Sequence, residues 1–194
     1  MTRRATQKRS TTETTVSVTI DLDGNGTAAV STGVGFLDHL LTSLAHHALI
    51  DLEVDTEGDL HVDDHHTVED TFLVLGSALA EALGDRSGIT RFGDAGVPMD
   101  EALARATIDA GGRPYAVLDL DFHADRIGAL STQMIPHGLE AFARTAGATL
   151  HLEARGRNDH HVAEAAFKAL ARALRDAVSI DPRRQGIPST KGST

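Results

Sequence analysis

Cysteine and tryptophan are absent from this 194-residue chain, and tyrosine occurs only once. Without cysteine the chain can form neither disulfides nor thiolate metal sites. No segment approaches the roughly 18 apolar residues of a transmembrane helix. The basic N-terminus MTRRATQKRST is not followed by the apolar core of a signal peptide. We therefore expect a cytoplasmic protein with no membrane partner.

Positive charge is also scarce, since the formal net charge is -10 at pH 7. This balance argues against general binding of nucleic acid but leaves room for a local basic pocket. The hydrophobic fraction of 41% and the charged fraction of 24% are ordinary for a globular protein. The length suffices for one domain, or for two small halves, with a real core.

Histidine, by contrast, is abundant, with eleven residues, and the phrase HHxxE occurs at residues 65–69 and 160–164. Residues four apart on a helix lie about 40° from each other around the axis. The first histidine and the glutamate of each copy can therefore share one point in space. The second histidines, His66 and His161, point elsewhere. Because they lie only three residues from the glutamates, spacing alone does not decide which histidine shares a metal with the glutamate.

The two HHxxE copies belong to a longer internal repeat. Residues 13–22 alternate as a half-buried strand, and DGNG followed by residues 27–32 predicts the second strand of a hairpin. Residues 104–110, the turn GGRP and residues 115–122 repeat this hairpin. Each half of the chain is thus expected to open with the same unit.

Helical spacing of apolar residues follows each predicted hairpin. One helix is predicted near residues 35–48 and its counterpart near 133–147, which places His39 opposite His137. Two further helices begin at the HHxxE copies, and the first of these ends near Gly84. Each half therefore contributes one helix with a lone histidine and one helix with HHxxE.

The segments between these helices are shorter and more polar. Residues 49–54 and 58–62 are predicted to be strands, and the strand TLHLEA repeats the first of these in the second half. Asp63 and Asp64 suit the start of a helix as caps and dipole partners.

These patterns predict an α+β fold of two tandem pseudo-symmetric repeats, with helices packed against mixed or antiparallel four-stranded sheets. The two repeats are expected to form a single integrated domain. The predicted divisions are a flexible tail over 1–10, the first repeat over 11–90, the second over 91–181 and a C-terminal tail over 182–194.

The repeat doubles the inventory of possible metal ligands. The ligands are His39, His65, His66, Glu69, His137, His160, His161 and Glu164. They divide into two sets of three histidines and one carboxylate, which suits Mn, Fe, Co, Ni or Zn. Four ligands on an octahedral ion leave two positions for substrate or water, whereas zinc with four protein ligands is usually closed. The ligand set therefore favours manganese or iron.

Several residues outside the histidine clusters could bind an anion such as phosphate. The candidates are Arg91, Arg113, Lys168, Ser189 and Lys191. Arginine suits bidentate phosphate contacts and lysine acts as a point charge. Glu13, just before the first predicted strand, is a candidate base or polar contact.

With these motifs the chain resembles the imidazoleglycerol-phosphate dehydratases of histidine biosynthesis. The matching phrases are GFLDHLL, LAHHALID, DDHHTVEDT, RFG with PMDEAL, GGRP, NDHHVAEAAFKALARAL and PSTKG, which together extend over nearly the whole chain. The resemblance implies a manganese-dependent hydro-lyase that converts imidazole glycerol phosphate into imidazole acetol phosphate. It also implies two Mn²⁺ per active site and a homo-oligomer of 24 subunits, with metal sites formed where subunits meet.

The resemblance also implies roles for individual residues. The first metal would take His39, His66, His160 and Glu164, and the second His65, Glu69, His137 and His161. Phosphate and substrate contacts would come from Arg91, Arg113, Lys168, Ser189 and Lys191, with the C-terminal tail contributing to the substrate site. Glu13 matches a glutamate near the reacting carbons, and His47 a histidine on the substrate side.

The chain departs from the family at two positions. Ser43 stands where the family often has a glutamine, and Gly138 follows the histidine at a point where aromatic residues are usual. The first departure concerns a polar substrate contact and the second concerns local packing.

Two other functions compete with a dehydratase. A metallohydrolase acting on a phosphorylated metabolite would release inorganic phosphate rather than a ketone. A structural shell assembled by metal would need neither Arg91 nor Arg113 nor Lys191.

Overall fold

Two four-stranded sheets, one from each half of the chain, frame the computed structural model, which describes residues 3–192. The first half comprises β1 (Arg4–Ser10), β2 (Thr14–Asp21), β3 (Ala28–Ser31), α1 (Gly35–Ala48), β4 (Asp51–Gly58) and α2 (His65–Leu83). The second half comprises β5 (Phe92–Met99), β6 (Ala102–Asp109), β7 (Tyr115–Leu120), β8 (Arg126–Ile127), β9 (Leu130–Ser131), α3 (Met134–Ala146), β10 (Thr149–Arg155) and α4 (Asp159–Val178).

The two sheets have the same topology. Their strand orders are β1-β2-β4-β3 and β5-β6-β10-β7. In each sheet the first three strands in this order are antiparallel, and the last strand joins in parallel. The predicted α+β class, its tandem repeats and its mixed sheets are thus confirmed.

The core lies between the sheets and the helices. Val16, Val18 and Ile20 of β2 alternate with more exposed residues and are at most 1% exposed. Burial of each such side chain stabilises the fold by roughly 1.5–3 kcal/mol. At the centre, Phe72 of α2 meets Phe167 of α4 with ring centroids 6.2 Å apart. The two HHxxE helices therefore meet at this aromatic pair, while each packs on its own sheet.

The contacts between helices cross the boundary between the halves. The first-half helix α1 packs on the second-half helix α4, and α2 packs on α3. Each helix with a lone histidine thus lies beside the HHxxE helix of the other half. This exchange decides which ligands can meet.

Both predicted hairpins are wrong. β3 pairs with β4 rather than with β2, and β7 pairs with β10 rather than with β6. In the first half, the turn after β2 is held against β4, because the backbone N–H groups of Asn25 and Thr27 both donate to Asp51 Oδ1 at 2.9 Å. The chain is thereby carried past β4 before it forms its next strand.

Two further sequence predictions are corrected. The flexible tail predicted over 1–10 is wrong for Arg4–Ser10, which forms the edge strand β1. Only Ala5 of this strand is buried, so no apolar alternation marks it. The strand predicted over 58–62 is also wrong, because β4 ends at Gly58 and a loop follows.

The described C-terminal segment is held against the second half. Arg91 donates from Nη1 to the carbonyl oxygen of Pro188 at 2.8 Å, and Gly88 N–H donates to the carbonyl of Gly186 at 2.9 Å. Within residues 3–192 no helix combines the length and apolar character needed to cross a membrane.

Candidate metal centres

The first cluster joins α1 and α4 through three of the predicted ligands. His39 Nε2 lies 3.0 Å from Glu164 Oε1, and His160 Nε2 lies 2.8 Å from the same oxygen. One ligand atom from each residue falls within 4.8 Å of the other two. His160 and Glu164 meet because four residues make about one helical turn, and His39 reaches them because α1 packs on α4.

The second cluster joins α2 and α3 in the same way. His65 Nε2 lies 3.7 Å from Glu69 Oε2, and His137 Nε2 lies 3.5 Å from Glu69 Oε1. Again one ligand atom from each residue falls within 4.8 Å of the others. His137 Nε2 is buried without a hydrogen-bond partner in the described chain. A buried nitrogen of this kind calls for a partner such as a metal ion.

Charge at the first cluster favours an ionised carboxylate. Burial would by itself raise the pKa of Glu164, but hydrogen bonds from Lys168, His39 and His160 outweigh it and lower the pKa to about 2. Lys168 Nζ lies 2.5 Å from Glu164 Oε2. Glu164 thus stays a carboxylate ligand across the physiological pH range.

The second histidines of the HHxxE copies do not join either cluster of their own chain. His66 Nδ1 lies 3.0 Å from Asp59 Oδ2, and His161 Nδ1 lies 2.9 Å from Glu101 Oε2. A carboxylate can only accept, so Nδ1 carries the proton and donates in both pairs. In the neutral ring this leaves Nε2 as the nitrogen with a lone pair. A histidine held in this way by a carboxylate is typical of metal ligands.

A basic cleft lies between β5, the β6–β7 turn and the C-terminal segment. Its volume is about 620 Å³, and it brings four of the predicted substrate contacts together. These are Arg91, Arg113, Ser189 and Lys191. Lys168 instead lies beside the first metal cluster.

The two arginines of this cleft differ in how they are used. Arg91 Nε and Nη2 donate to the two carboxylate oxygens of Asp109 at 2.7 and 2.9 Å, while Nη1 holds Pro188. Arg113 is 78% exposed, and its nearest carboxylate oxygen, also of Asp109, is 3.9 Å away. Arg91 therefore builds the cleft wall, whereas Arg113 keeps its charge available to a ligand.

Comparison with known proteins identifies the family to which the chain belongs. Residues 32–174 match the family model described as imidazoleglycerol-phosphate dehydratase. The imidazoleglycerol-phosphate dehydratase of Methylorubrum extorquens is 54% identical over 193 residues, covering 98% of this chain and 99% of the relative. That of Methanothermobacter thermautotrophicus is 56% identical over 190 residues, covering 98% and 97%. The chain belongs to the imidazoleglycerol-phosphate dehydratase family.

Solved structures support the same assignment. The imidazoleglycerol-phosphate dehydratase of Staphylococcus aureus superposes with a TM-score of 0.83 at 34% identity, covering 92% of this chain and 99% of that one. The Pyrococcus furiosus protein, solved in complex with (S)-C348, gives the same TM-score and identity, with coverage of 97% and 100%. The resemblance stated from the motifs is confirmed.

Two residues that the family resemblance links to substrate lie near the histidines. Glu13 Oε2 is 3.7 Å from His66 Nε2, and half of its side chain is exposed. Burial lowers the pKa of His47, and the positive charges of His46, Lys168 and Arg172 lower it further. His47 is therefore neutral at pH 7 and can donate or accept a hydrogen bond there.

The two positions that depart from the family pattern are both buried. Ser43 of α1 is 8% exposed, and its hydroxyl finds no hydrogen-bond partner in the described chain. Gly138 of α3 lies against the ring of Phe72, which occupies the space that a side chain at this position would need. The space beside Gly138 is thus filled by an aromatic residue from α2.

Asp63 and Asp64, both predicted to cap the first HHxxE helix, have different partners in the structure. Asp63 Oδ1 accepts from the backbone N–H of His65 at 2.8 Å, as a helix-capping residue does. Asp64 is 5% exposed and accepts from the Ser131 hydroxyl at 2.8 Å. Asp64 thus ties the start of α2 to the segment before α3.

Sequence reasoning missed Asp59 and Glu101. Glu101 directly precedes β6 just as Glu13 directly precedes β2, and the two are as far apart in sequence as the repeat-related Asp21 and Asp109. A comparison of the two halves residue by residue would have found Glu101. Asp59 has no such counterpart, because it lies in a connection that the second half shortens.

Proposed function

We propose that this chain catalyses the dehydration of imidazole glycerol phosphate to imidazole acetol phosphate, as a step of histidine biosynthesis. The family assignment supports the reaction, and the two histidine–glutamate clusters support dependence on two divalent metal ions per active site. Manganese fits the mixed imidazole and carboxylate donors and the open coordination positions. Action in the cytoplasm is part of this proposal.

The residues present fit two such ions. Each cluster supplies two imidazole nitrogens and one carboxylate whose ligand atoms lie within 4.8 Å of one another. The buried, unpaired Nε2 of His137 supports this assignment at the second cluster. When bound, the ions would supply Lewis acidity toward the imidazole ring of the substrate.

The fourth ligand of each proposed set must come from another copy of the chain. His66 and His161 are directed away from the clusters of their own chain and toward the carboxylates Asp59 and Glu101. Their partly exposed rings could reach the cluster of a neighbouring subunit. The proposed sets, with His66 in the first and His161 in the second, therefore imply a homo-oligomer. An assembly of 24 subunits is the form we propose.

Glu13 is the base in this proposal. In the reaction the hydroxyl next to the imidazole ring leaves as water, a proton is taken from the following carbon, and the enol product becomes the ketone. Glu13 is exposed and lies 3.7 Å from His66. If His66 binds the metal of a neighbouring subunit, Glu13 is therefore close to the site where the imidazole ring of the substrate binds. A carboxylate at this place can accept the carbon-bound proton.

The basic cleft and the residues near the first cluster would bind the rest of the substrate. Arg113, Ser189 and Lys191 offer donors for the phosphate, and Arg91 holds the C-terminal segment in place. Lys168 lies beside the first cluster, and the charges of Lys168 and Glu164 act on His47, so we expect both residues to contact the glycerol chain. Binding of the phosphate far from the ring would orient the reacting carbons.

The decisive experiment compares the parent protein with Glu13→Gln. Metal-free protein would be loaded with Mn²⁺, sized, and assayed for imidazole acetol phosphate and for inorganic phosphate. We expect the parent to form the ketone, and Glu13→Gln to bind Mn²⁺ and substrate normally while losing at least about 100-fold in kcat. Full turnover by Glu13→Gln would exclude it as the base. Release of phosphate instead of ketone would favour a hydrolase.

A purely structural shell is tested by the cleft residues. Arg113→Ala and Lys191→Ala should leave assembly intact but raise KM strongly, because each removes a charge from the phosphate cleft. Assembly without any turnover in the parent protein would favour the shell.

A further inference from the structure

The carboxylates that hold His66 and His161 come from unrelated places in the repeat. Glu101 directly precedes β6, whereas Asp59 directly follows β4. Yet each places a carboxylate oxygen about 3 Å from the Nδ1 of its histidine. The two halves therefore reach the same arrangement by different routes.

The repeat counterpart of Glu101 is Glu13, and Glu13 does not hold a histidine by Nδ1. Each glutamate directly precedes the second strand of its sheet, β2 or β6. Glu101 Oε2 binds His161 Nδ1, and Glu101 Oε1 accepts from the backbone N–H groups of Arg157 and Asn158 at 3.1 and 2.8 Å. Glu13 lies instead on the Nε2 side of His66 at 3.7 Å and is 51% exposed.

The length of one connection explains the difference. Residues 59–64 join β4 to α2, whereas residues 156–158 join β10 to α4, so the second connection is three residues shorter. The longer connection starts with Asp59, whose side chain is only 15% exposed and already occupies His66 Nδ1. In the second half the short connection contains no carboxylate, and Glu101 binds His161 Nδ1 instead.

We propose that Asp59 and Glu101 are positioning residues that hold His66 and His161 for metal binding. We further propose that Asp59, carried by the longer connection, leaves Glu13 available to the substrate. This inference rests on the proposed function, because it takes the two histidines as metal ligands and Glu13 as the base. Under this proposal Glu101 positions His161, whereas its repeat counterpart Glu13 acts on the substrate.

The physical reason lies in the two nitrogens of the imidazole ring. A carboxylate that accepts from Nδ1–H fixes the tautomer with the lone pair on Nε2, orients the ring and makes Nε2 a better donor to metal. Loss of such a partner typically lowers metal affinity about 10- to 100-fold. A glutamate already bonded on both oxygens, as Glu101 is, has little freedom to accept a proton from substrate.

The test measures Mn²⁺ binding directly, by calorimetric titration of metal-free protein. Asp59→Asn should weaken one Mn²⁺ site per subunit about 10- to 100-fold and Glu101→Gln the other, with Asp59→Ala and Glu101→Ala weaker still. Asp119→Asn, which removes a carboxylate paired with the exposed Arg155, is the control and should bind Mn²⁺ as the parent does. Parental affinity in both amide variants would overturn the proposal.

A double-mutant cycle separates positioning from general damage. Adding Glu101→Gln to His161→Ala should cost no further Mn²⁺ affinity if Glu101 acts through His161, whereas additive losses would contradict this. Because Glu101 also holds backbone groups, Glu101→Gln could fail to fold. In that case Asp59→Asn, checked by circular dichroism and combined with His66→Ala in the same way, decides alone.

Turnover distinguishes the tasks of Asp59 and Glu13. Excess Mn²⁺ should restore most of the kcat of Asp59→Asn but none of the kcat of Glu13→Gln, since only the former acts through the metal ligand. Failure of excess Mn²⁺ to restore Asp59→Asn would contradict the division of tasks. If the parent itself makes no ketone, the proposed reaction fails, while the Mn²⁺ titrations still test the positioning of His66 and His161.

Discussion

Gly138 and Phe72 share one buried volume between α3 and α2, directly beside the proposed ligand His137. A side chain at Gly138 would collide with the ring of Phe72, so the size of one residue limits that of the other. Protein interiors are packed too densely to absorb such a change without a shift of the backbone. The departure from an aromatic residue at position 138 is therefore coupled to Phe72.

We expect a compensating pair of substitutions at these positions. Phe72→Ala should lower the free energy of unfolding by about 3–5 kcal/mol, and Gly138→Phe should lower it by about 1–3 kcal/mol or more through overpacking. The double variant should recover part of both losses, because the new ring can fill the cavity. Urea unfolding of the four proteins measures the coupling.

The control combines Gly138→Phe with Val18→Ala, a large-to-small change at a buried position of β2. These two effects should add, because the atoms nearest to a side chain at Gly138 belong to Phe72 and not to Val18. Additivity of the Phe72 pair as well would show that the two residues do not compete for space.

At the level of elements, two aspartates clasp the segment that joins β7 to α3. Asp64 accepts from Ser131, near the end of this segment, and Asp159 accepts from the backbone N–H of Ala124 at 2.7 Å, near its start. Asp64 and Asp159 each stand directly before an HHxxE copy. The segment thus links the starts of α2 and α4 to the helix that carries His137.

Asp64→Asn should loosen this clasp. The amide keeps the shape but loses the charge that accepts from Ser131, at a cost of about 1–3 kcal/mol for a buried group. Trypsin should then cut faster after Arg126, which lies within the segment and is 3.9 Å from Asp64. Asp63→Asn is the matched control, because Asp63 only caps α2. Equal cutting rates in the two variants would contradict a clasp.

The helices were predictable from sequence, but the sheets only in part. The period of apolar residues defines α1 to α4 almost to the residue, and Gly84 and Gly147 mark the ends of α2 and α3. These signals are local, which is why sequence alone is sufficient. Strand order depends on contacts between distant residues, such as Asp51 holding the turn after β2. For this reason the hairpins were wrong although every strand in them exists. The charged edge strand β1 lacks the alternation that would reveal it.

The site followed the same division between local and distant contacts. Spacing showed that His160 can meet Glu164 and that His65 can meet Glu69, but it left open whether the second histidine of each pair does so instead. The repeat pointed to His39 and His137 as further ligands. The repeat by itself did not show that α1 adds a histidine to the ligands on α4, or that α3 adds one to the ligands on α2. That pairing depends on how the two halves pack. The assignment of His66 and His161 to neighbouring subunits stays a prediction.

For the whole molecule, the proposed sharing of ligands between subunits would make metal binding and assembly a single equilibrium. If each ion takes its fourth ligand from another subunit, removal of metal must weaken contacts between subunits and not only the reaction. The same ions would then determine both particle size and activity. Acidification offers a way to remove them gradually, because protons compete for the ligand nitrogens.

Histidines, rather than Glu164, should govern this acid transition. The pKa of Glu164 is held at about 2, so this ligand stays ionised, whereas protons compete with the metal for the imidazole nitrogens. The sign follows directly: lower pH releases metal, and more Mn²⁺ should move the midpoint of particle dissociation to lower pH. Light scattering against pH at two Mn²⁺ concentrations measures this shift. His66→Ala should fail to assemble even at pH 8, whereas His46→Asn, outside the clusters, should match the parent. A midpoint independent of Mn²⁺ would show that the particle is held together without metal.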